Sequence, residues 1–190
     1  MSFNIIASII VFDGDTINIT SRKESIYDKV YTSGMVESTN SYKYGFYEFV
    51  IEISEGKGLF PAIWLLPEAG DSLPELDIFE MVGNKPYRFY GVIHFEDNGM
   101  PDTSYFSHNV PIKYQYTVSL EWHANSLTWF IDNEEIFTTT QGVPQEFMYI
   151  IINQAVGGNW SGNPDDNTIF PSQFKIISSR VEPIFKKARY

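Results

Sequence analysis

Hydrophobic and polar residues alternate along much of this chain with the period of two that is typical of β-strands. The segment 46–54, FYEFVIEIS, places aromatic and aliphatic residues at every second position. The segment 116–123, YTVSLEWH, does the same, and after Ala-Asn-Ser the chain resumes as LTWFI, which predicts a β-hairpin. The segment 12–20, FDGDTINIT, predicts a second hairpin around an Asp-Gly turn. The segment 147–156, FMYIIINQAV, predicts a further strand.

Turn-forming clusters separate these segments, and we find no amphipathic helix, internal repeat or linker. Many short strands separated by turns predict an all-β, antiparallel sandwich or barrel, organised as a single domain over residues 1–190. The segments 96–107 and 157–168 are polar and predict long loops at the rim of a binding site. The apolar start, residues 1–12, predicts a strand rather than a signal peptide. The basic end, FKKARY, predicts a solvated tail.

The charge balance restricts the partners. With 13 Lys and Arg against 24 Asp and Glu, the net charge is -11, which argues against nucleic acid and against an anionic membrane. It fits a neutral or a cationic ligand. There is no cysteine, so thiol catalysis and disulfides are excluded, and the three histidines lack zinc-motif spacing. We therefore expect no cofactor.

Three acids lie close together in the segment ELDIFE, residues 75–80, whose other positions are apolar. Strand alternation places Glu75 and Asp77 on one face and Glu80 on the other. One extra residue in a β-bulge, at Ile78 or Phe79, would return Glu80 to the face of the other two acids. The sequence therefore predicts a bulged strand that lines a cleft with three carboxyl groups.

Such a cluster suits glycosidic bond cleavage, in which one carboxylate attacks or stabilises the anomeric carbon and a protonated carboxyl group donates to the leaving oxygen. A solvated acidic strand face and a calcium site remain alternatives. The upstream segment GLFPAIWLLP carries Phe60 and Trp64, whose rings could stack on sugars. Trp64 could equally be a core residue.

An ordered set of motifs identifies a family. The chain resembles family 16 glycoside hydrolases, and within them the laminarinase-like endo-β-1,3-glucanases, from about Ile10 to Val181. The resemblance rests on six segments: YTSGMV (31–36), YGFYEFVIEISEGKGLFPAIWLLP (44–67), ELDIFEMVG (75–83), GVIHF (91–95), LEWHANSLTWFIDNEEI (120–136) and INQAVGGNWSGNPDDNTIFP (152–171).

The resemblance implies a concanavalin A-like β-jelly-roll sandwich with a concave substrate cleft, and hydrolysis with retention of anomeric configuration. It implies Glu75 as nucleophile, Glu80 as general acid/base and Asp77 as the helper between them. The spacing E-x-D-x-x-E is that of the bulged branch, which includes laminarinases, agarases and carrageenases. Lichenases belong to the regular-strand branch.

The resemblance also implies substrate-binding residues. Trp64, Trp160 and Phe60 fall at aromatic positions that line sugar subsites, and His94 falls at the family histidine near the acid/base. Asn153 and Gln154 are candidates for contacts to sugar hydroxyls, although a hydrogen-bonding role at the end of the sheet is an equal alternative.

The chain departs from the family pattern at several positions. Relatives begin with an extra segment ahead of the strands matched here, often carry a basic residue at Met35, and commonly have tryptophan at Phe60. Many bind structural calcium through an acid whose matching position is Ile177, so we predict no metal. No signal peptide is visible, so the sequence leaves the localisation open; a viral or phage origin, with release by lysis or attachment to a particle, would explain an enzyme without a secretion signal.

The sequence thus predicts a monomeric, retaining, endo-acting hydrolase of a neutral polysaccharide, with β-1,3-glucan as the expected substrate. Hydrolysis of another β-glycan, of the agarase, carrageenase or mixed-linkage type, is one alternative. A non-catalytic glycan-binding protein and a sandwich that has lost substrate binding are the others.

Overall fold

The computed structural model describes residues 10–70 and 72–189, which form twelve β-strands. The strands are β1 Ile10–Asp13, β2 Thr16–Ser21, β3 Met35–Glu52, β4 Leu59–Pro67, β5 Glu75–Met81, β6 Arg88–Asp97, β7 Met100–Asn109, β8 Gln115–Trp122, β9 Leu127–Ile131, β10 Glu134–Thr139, β11 Met148–Val156 and β12 Ser172–Ala188. Within these ranges no helix is long and apolar enough to cross a membrane.

All strand pairings are antiparallel, and their order is β1-β2-β12-β3-β11-β4-β5-β6-β7. Strand β3 also pairs with β8, and β8-β9-β10 continue from there. The 18 residues of β3 pair with two further strands at different positions. Met35 to Tyr42 pair with β11, and Gly45 to Glu52 pair with β8. A single long strand thus carries the hydrogen-bonded network from one layer into the other.

The core lies between the two layers. Phe79 of β5 and Phe89 of β6 have ring centroids 4.8 Å apart, and Phe89 lies 4.7 Å from Tyr116 of β8. All three side chains are buried. Fully burying a side chain of this kind contributes about 1.5–3 kcal/mol, so these rings hold the layers together. The predicted all-β jelly-roll sandwich is confirmed.

The alternation predicted most strands correctly. The hairpins β1–β2 and β8–β9 and the strand β11 are present, although residues 1–9 of the predicted first strand lie outside the described residues. Residues 157–168 form an irregular loop, as predicted.

One prediction was wrong and another was incomplete. Residues 96–107 do not form a long loop, because β6 and β7 continue into a tight hairpin whose turn residues Asn98 and Gly99 have φ of 52° and 76°. The exposed edge strand β7 carries no buried pattern that could reveal it. The C-terminal segment is solvated as predicted, since residues 184–188 are exposed, but it forms a strand and not a free end. It extends β12 along β3 to Ala188, and the Arg189 guanidinium lies 3.6 Å from the ring centroid of Tyr149.

Candidate active site

A β-bulge shapes the middle of β5. Asp77 pairs with Val92 and Glu80 pairs with Tyr90, so Ile78 and Phe79 together lie opposite the single residue Gly91. Strand β4, on the other side, shows the matching shift between Trp64 and Ile63. Both bulged residues are buried in the core. The predicted bulge is therefore present, and it returns Glu80 to the face that carries Glu75 and Asp77.

We call this side of the sheet the active face. Across from the acids, β6 contributes Tyr90 and His94, because Glu80 pairs with Tyr90 and Glu75 pairs with His94. On the other side, β4 contributes Trp64 opposite Asp77 and, by alternation, Phe60. Strand β11 contributes Asn153, which pairs with Ala62 of β4. The structure thus brings together most of the residues expected at the site.

Gln154 does not join them. It is 1% exposed, and its amide nitrogen donates to Ser21 Oγ at 2.7 Å and to Ser172 Oγ at 3.4 Å. Successive side chains of a strand point to opposite faces, so Asn153 faces the acids and Gln154 faces inward. The structure therefore gives Gln154 the alternative role, hydrogen bonding within the sheet.

The three carboxyl groups have different surroundings. Asp77 is 2% exposed, and its Oδ2 has no hydrogen-bond partner among the described residues. Burial, followed by the charges of Glu80 and Glu75, raises the pKa of Asp77 well above its usual range. A buried carboxyl group of this kind favours its protonated form. Asp77 can therefore act as a hydrogen-bond donor between the two glutamates.

Burial also raises the pKa of Glu75, and the neighbouring His94 offsets part of that rise. Burial, followed by the charge of Glu75, raises the pKa of Glu80 to about 7. Glu80 therefore keeps its proton close to neutral pH while Glu75, beside the imidazole, is the easier of the two to ionise. Chemistry that uses one carboxyl group as an acid and another as a nucleophile requires such a pair, with one group protonated and the other ionised.

Aromatic rings line the active face beside Glu80. Trp160, in the loop after β11, is 48% exposed. Its ring centroid lies 5.2 Å from that of Phe60 and 4.9 Å from that of Tyr90, both in edge-on geometry. The half-buried Trp64 donates from Nε1 to Asn153 Oδ1 at 2.7 Å, which fixes the orientation of its indole. Aromatic rings that are accessible to solvent and fixed in orientation are suited to stacking on sugar rings.

Among the residues that the structure describes, the group of acids and histidine that could hold a metal ion belongs to the same cluster. Glu75, Asp77 and His94 each offer one ligand atom within 4.8 Å of the others, while His94 Nδ1 lies 2.9 Å from Thr103 Oγ1. Calcium takes six to eight oxygen ligands, which two carboxyl groups and an imidazole do not supply. Ile177, the position matched to a calcium-binding acid, has an aliphatic side chain. This ligand set therefore does not fit a calcium site.

Sequence reasoning missed three residues of interest. Tyr90 shares the parity of His94 within the segment 90–94, so alternation along β6 could have placed it on the active face. Tyr105 is 66% exposed on the edge strand β7, opposite Val92, where the sequence gives no strand signal. Trp129 reaches the acid strand from the other layer, and nothing local in the sequence could have shown that.

With this geometry established, similarity to known proteins decides the family. The family model for glycosyl hydrolases family 16 matches residues 5–173. The chain belongs to glycosyl hydrolases family 16. The resemblance inferred from the ordered motifs is thereby confirmed.

Relatives and solved structures agree with this membership. The chain is 30% identical over 169 residues to the Endo-1,3-1,4-beta-glycanase ExsH of Rhizobium meliloti, covering 85% of this chain and 36% of that protein. It therefore spans roughly a third of that relative's length. It superposes with a TM-score of 0.83 and 26% identity on the laminarinase catalytic domain from Thermotoga maritima, covering 94% of this chain and 82% of that one. For the endo-beta-1,3-glucanase from Pyrococcus furiosus the TM-score is 0.82 at 25% identity, covering 93% and 78%.

Proposed function

We propose that this family 16 protein is a retaining, endo-acting glycoside hydrolase that cleaves β-1,3-glucan. One observation carries the proposal: the bulge in β5 places Glu75, Asp77 and Glu80 on the same face of the sheet. The pKa of about 7 at Glu80 supports it, because a general acid must hold a proton at the working pH.

In the first step, the Glu80 carboxyl group transfers its proton to the glycosidic oxygen. The Glu75 carboxylate attacks the anomeric carbon, the bond to the leaving sugar breaks, and that sugar departs as an alcohol. The product on the protein is a glycosyl ester of Glu75. Consuming the negative charge of Glu75 removes one cause of the raised pKa of Glu80, which favours the carboxylate form that Glu80 needs in the second step.

In the second step, the Glu80 carboxylate removes a proton from water, and the water oxygen attacks the anomeric carbon. The ester bond breaks and Glu75 returns as a carboxylate, while Glu80 is protonated again. Two displacements at one carbon give net retention. The raised pKa of Asp77 supports a protonated side chain, which in this mechanism would donate a hydrogen bond to Glu75 and stabilise its charge when the sugar leaves.

The open active face supports internal cleavage of a polymer. It crosses β3, β11, β4, β5, β6 and β7. At about 4.8 Å between strands, the distance from the first to the last is roughly 24 Å, which leaves room for several sugar units. The net charge of -11 favours a neutral glycan over an acidic one.

The linkage has two candidates. The similarity to laminarinase structures favours β-1,3-glucan, and the bulged E-x-D-x-x-E segment agrees with it. The relative at 30% identity is named as an endo-1,3-1,4-beta-glycanase, which favours a mixed-linkage glucan as the second candidate.

A substrate panel tests the proposal. The purified chain is incubated with soluble β-1,3-glucan, mixed-linkage β-1,3-1,4-glucan and agarose, and both new reducing ends and polymer length are measured. We expect the fastest release of reducing ends from β-1,3-glucan, with polymer length falling early, as internal cleavage requires. Measurable binding of β-1,3-glucan without any new reducing ends would overturn the proposal and favour a glycan-binding protein.

A further inference from the structure

Trp129 links the second layer to the acid strand. It lies in β9, is 2% exposed, and its indole Nε1 donates to the backbone carbonyl oxygen of Asp77 at 3.0 Å. The accepting carbonyl immediately precedes the two bulged residues, Ile78 and Phe79. This hydrogen bond joins residues 52 positions apart, and its acceptor lies where β5 departs from regular pairing.

A bulge disrupts the ladder of backbone hydrogen bonds at the position where it occurs. A carbonyl group left without a partner in the core would cost free energy, because water cannot reach it there. The indole N–H of Trp129 donates to the carbonyl oxygen at this position. The bond therefore favours the bulged conformation over a regular strand, and only the bulged conformation places Glu80 on the active face.

The residues around Trp129 pack closely against its indole ring. A Cβ atom at Gly91, the residue opposite the bulge, would collide with the Phe106 ring and lie 2.7 Å from Trp129 Nε1. The absence of a side chain at Gly91 thus lets the indole approach. The Trp129 ring is also held by Phe106 and Phe137, at centroid distances of 5.6 Å and 5.8 Å.

We propose that Trp129 is a positioning residue, which fixes the bulge in β5 through the Asp77 carbonyl and thereby sets the orientation of Glu80 toward the substrate. The proposal rests on the function proposed above. Trp129 lies on the core side of β5, so it acts through the backbone and not by touching the sugar.

Trp122 provides a matched control. It is fully buried in the neighbouring strand β8, and its Nε1 donates to the carbonyl oxygen of Pro144 at 3.2 Å. Replacing either tryptophan with phenylalanine removes one indole donor from the same core. Only Trp129 has its acceptor in the acid strand. A purely structural role would make the two variants equivalent.

Kinetics of Trp129→Phe and Trp122→Phe on β-1,3-glucan test the proposal. Because small misplacements of a reacting group lower rates steeply, we expect kcat to fall about 10- to 100-fold in Trp129→Phe, with KM within about twofold of the parent. Trp122→Phe should keep kcat within about threefold. Equal kcat values in the two folded variants would overturn the proposal.

A second readout needs no activity. Carboxyl ¹³C NMR titration, with Glu80→Gln to assign the resonance, follows Glu80 directly. Nearest to Glu80 on its face are Glu75 and Asp77 of β5 and Tyr90 of β6. By alternation the same face also carries His94, Arg88 and Glu96 of β6 and Tyr105 of β7, while β4 contributes no titratable group. We expect the Glu80 titration to move in Trp129→Phe and to stay at the parental midpoint in Trp122→Phe. An unmoved midpoint in both variants would contradict the proposal.

The two readouts separate two failures. A parent that cleaves no glucan removes the proposed function, while the titration still decides whether Trp129 positions Glu80. If either phenylalanine variant does not fold, the same titration is made with Trp129→β-(3-benzothienyl)alanine, which keeps the ring shape and lacks the N–H donor. An unmoved Glu80 midpoint in that variant would likewise overturn the proposal.

Discussion

Each of the three acids of β5 has its own combination of burial and neighbours, and that combination assigns its role. Asp77 is almost completely buried, whereas Glu75 and Glu80 keep partial access to solvent. Glu75 has His94 opposite it, and Glu80 has Tyr90. The imidazole favours the charged form of Glu75 while Glu75 itself disfavours the charged form of Glu80. In the proposed mechanism, Glu75 as nucleophile and Glu80 as acid are therefore distinguished by their partners.

Replacing Glu75 with Gln should abolish turnover of β-1,3-glucan, because an amide cannot form the glycosyl ester. The matched control is Glu121→Gln in β8, whose side chain is 45% exposed and remote from the active face. Reducing-end assays should show parental activity in the control and none in Glu75→Gln. Undiminished turnover in Glu75→Gln would contradict the assignment of the nucleophile.

The pH dependence of kcat/KM follows from the same two groups. Glu75 must be ionised and Glu80 protonated, so activity should decline as pH falls below the raised pKa of Glu75 and as pH rises through about 7. Above that point we expect a decrease approaching tenfold per pH unit. A profile that stays flat from pH 6 to pH 9, measured with the soluble glucan, would be inconsistent with Glu80 as the acid.

At the residue scale, the sequence was sufficient for the acids and insufficient for their supports. The spacing of Glu75, Asp77 and Glu80 is a local property, so alternation plus one bulge predicted their common face. The inward position of Gln154 also follows from parity once Asn153 is placed on the active face. Trp129 could not be found, because its acceptor lies 52 residues away in the other layer.

The bulged strand β5 is the element that relates sequence spacing to geometry. In a regular strand without the bulge, E-x-D-x-x-E would turn its last glutamate toward the core, on the side of Leu76 and Ile78. Packing favours the bulge, because both Ile78 and Phe79 are buried in the core. The bulge thus lets β5 bury its apolar residues in the core and keep its three acids on the opposite face.

Deleting Ile78 should convert the segment to E-x-D-x-E, which keeps all three acids on one face by simple alternation. We therefore expect the variant to retain measurable hydrolysis at a reduced rate, since the carbonyl bound by Trp129 would shift. Activity and circular dichroism would be measured together. A folded variant with no detectable hydrolysis would show that the bulge does more than restore the face of Glu80.

Elements with one buried face were predictable and exposed edge strands were not. The hairpin β8–β9 has a clear period of two because one side packs in the core. Strand β7 is exposed on most of its length, so its polar residues resemble a loop, and only the Asn98-Gly99 turn indicates the hairpin. The C-terminal part of β12 was missed because it is exposed as well, and because its partner β3 is distant in sequence.

On the scale of the whole molecule, the fold works by placing an acid cluster on one layer and supporting it from the other. Strand β3 joins the layers through hydrogen bonds, and the aromatic core between them keeps β5 and β6 in place. The all-β class could be read from local patterns. Which strands face one another depends on long-range pairing, which local patterns do not contain.

The buried acids should make the whole molecule less stable as pH rises. The folded-state pKa of Glu80, about 7, lies above its ordinary value of 4.5, so protonation favours the folded state. That contribution is fully present below pH 4.5 and is lost as pH rises through about 7. Glu80→Gln should remove this loss and unfold with a free energy higher by on the order of 1–2 kcal/mol at pH 8, with the partial exposure of Glu80 taken into account.

Urea unfolding of the parent and Glu80→Gln at pH 5 and pH 8 would measure that difference. The two proteins should be closest in stability at pH 5 and diverge at pH 8. Divergence in the opposite direction would show that the ionised form of Glu80 is stabilised by the fold.

One measurement tests the central claim most directly: ¹H NMR of the anomeric protons during the first minutes of β-1,3-glucan hydrolysis, with Glu75→Gln beside the parent. We predict that the β-anomer of the new reducing end appears first in the parent and converts slowly to the α-anomer, while Glu75→Gln gives no new signal. Initial formation of the α-anomer would contradict the double displacement at Glu75. The absence of any new anomeric signal from the parent would contradict the hydrolase itself.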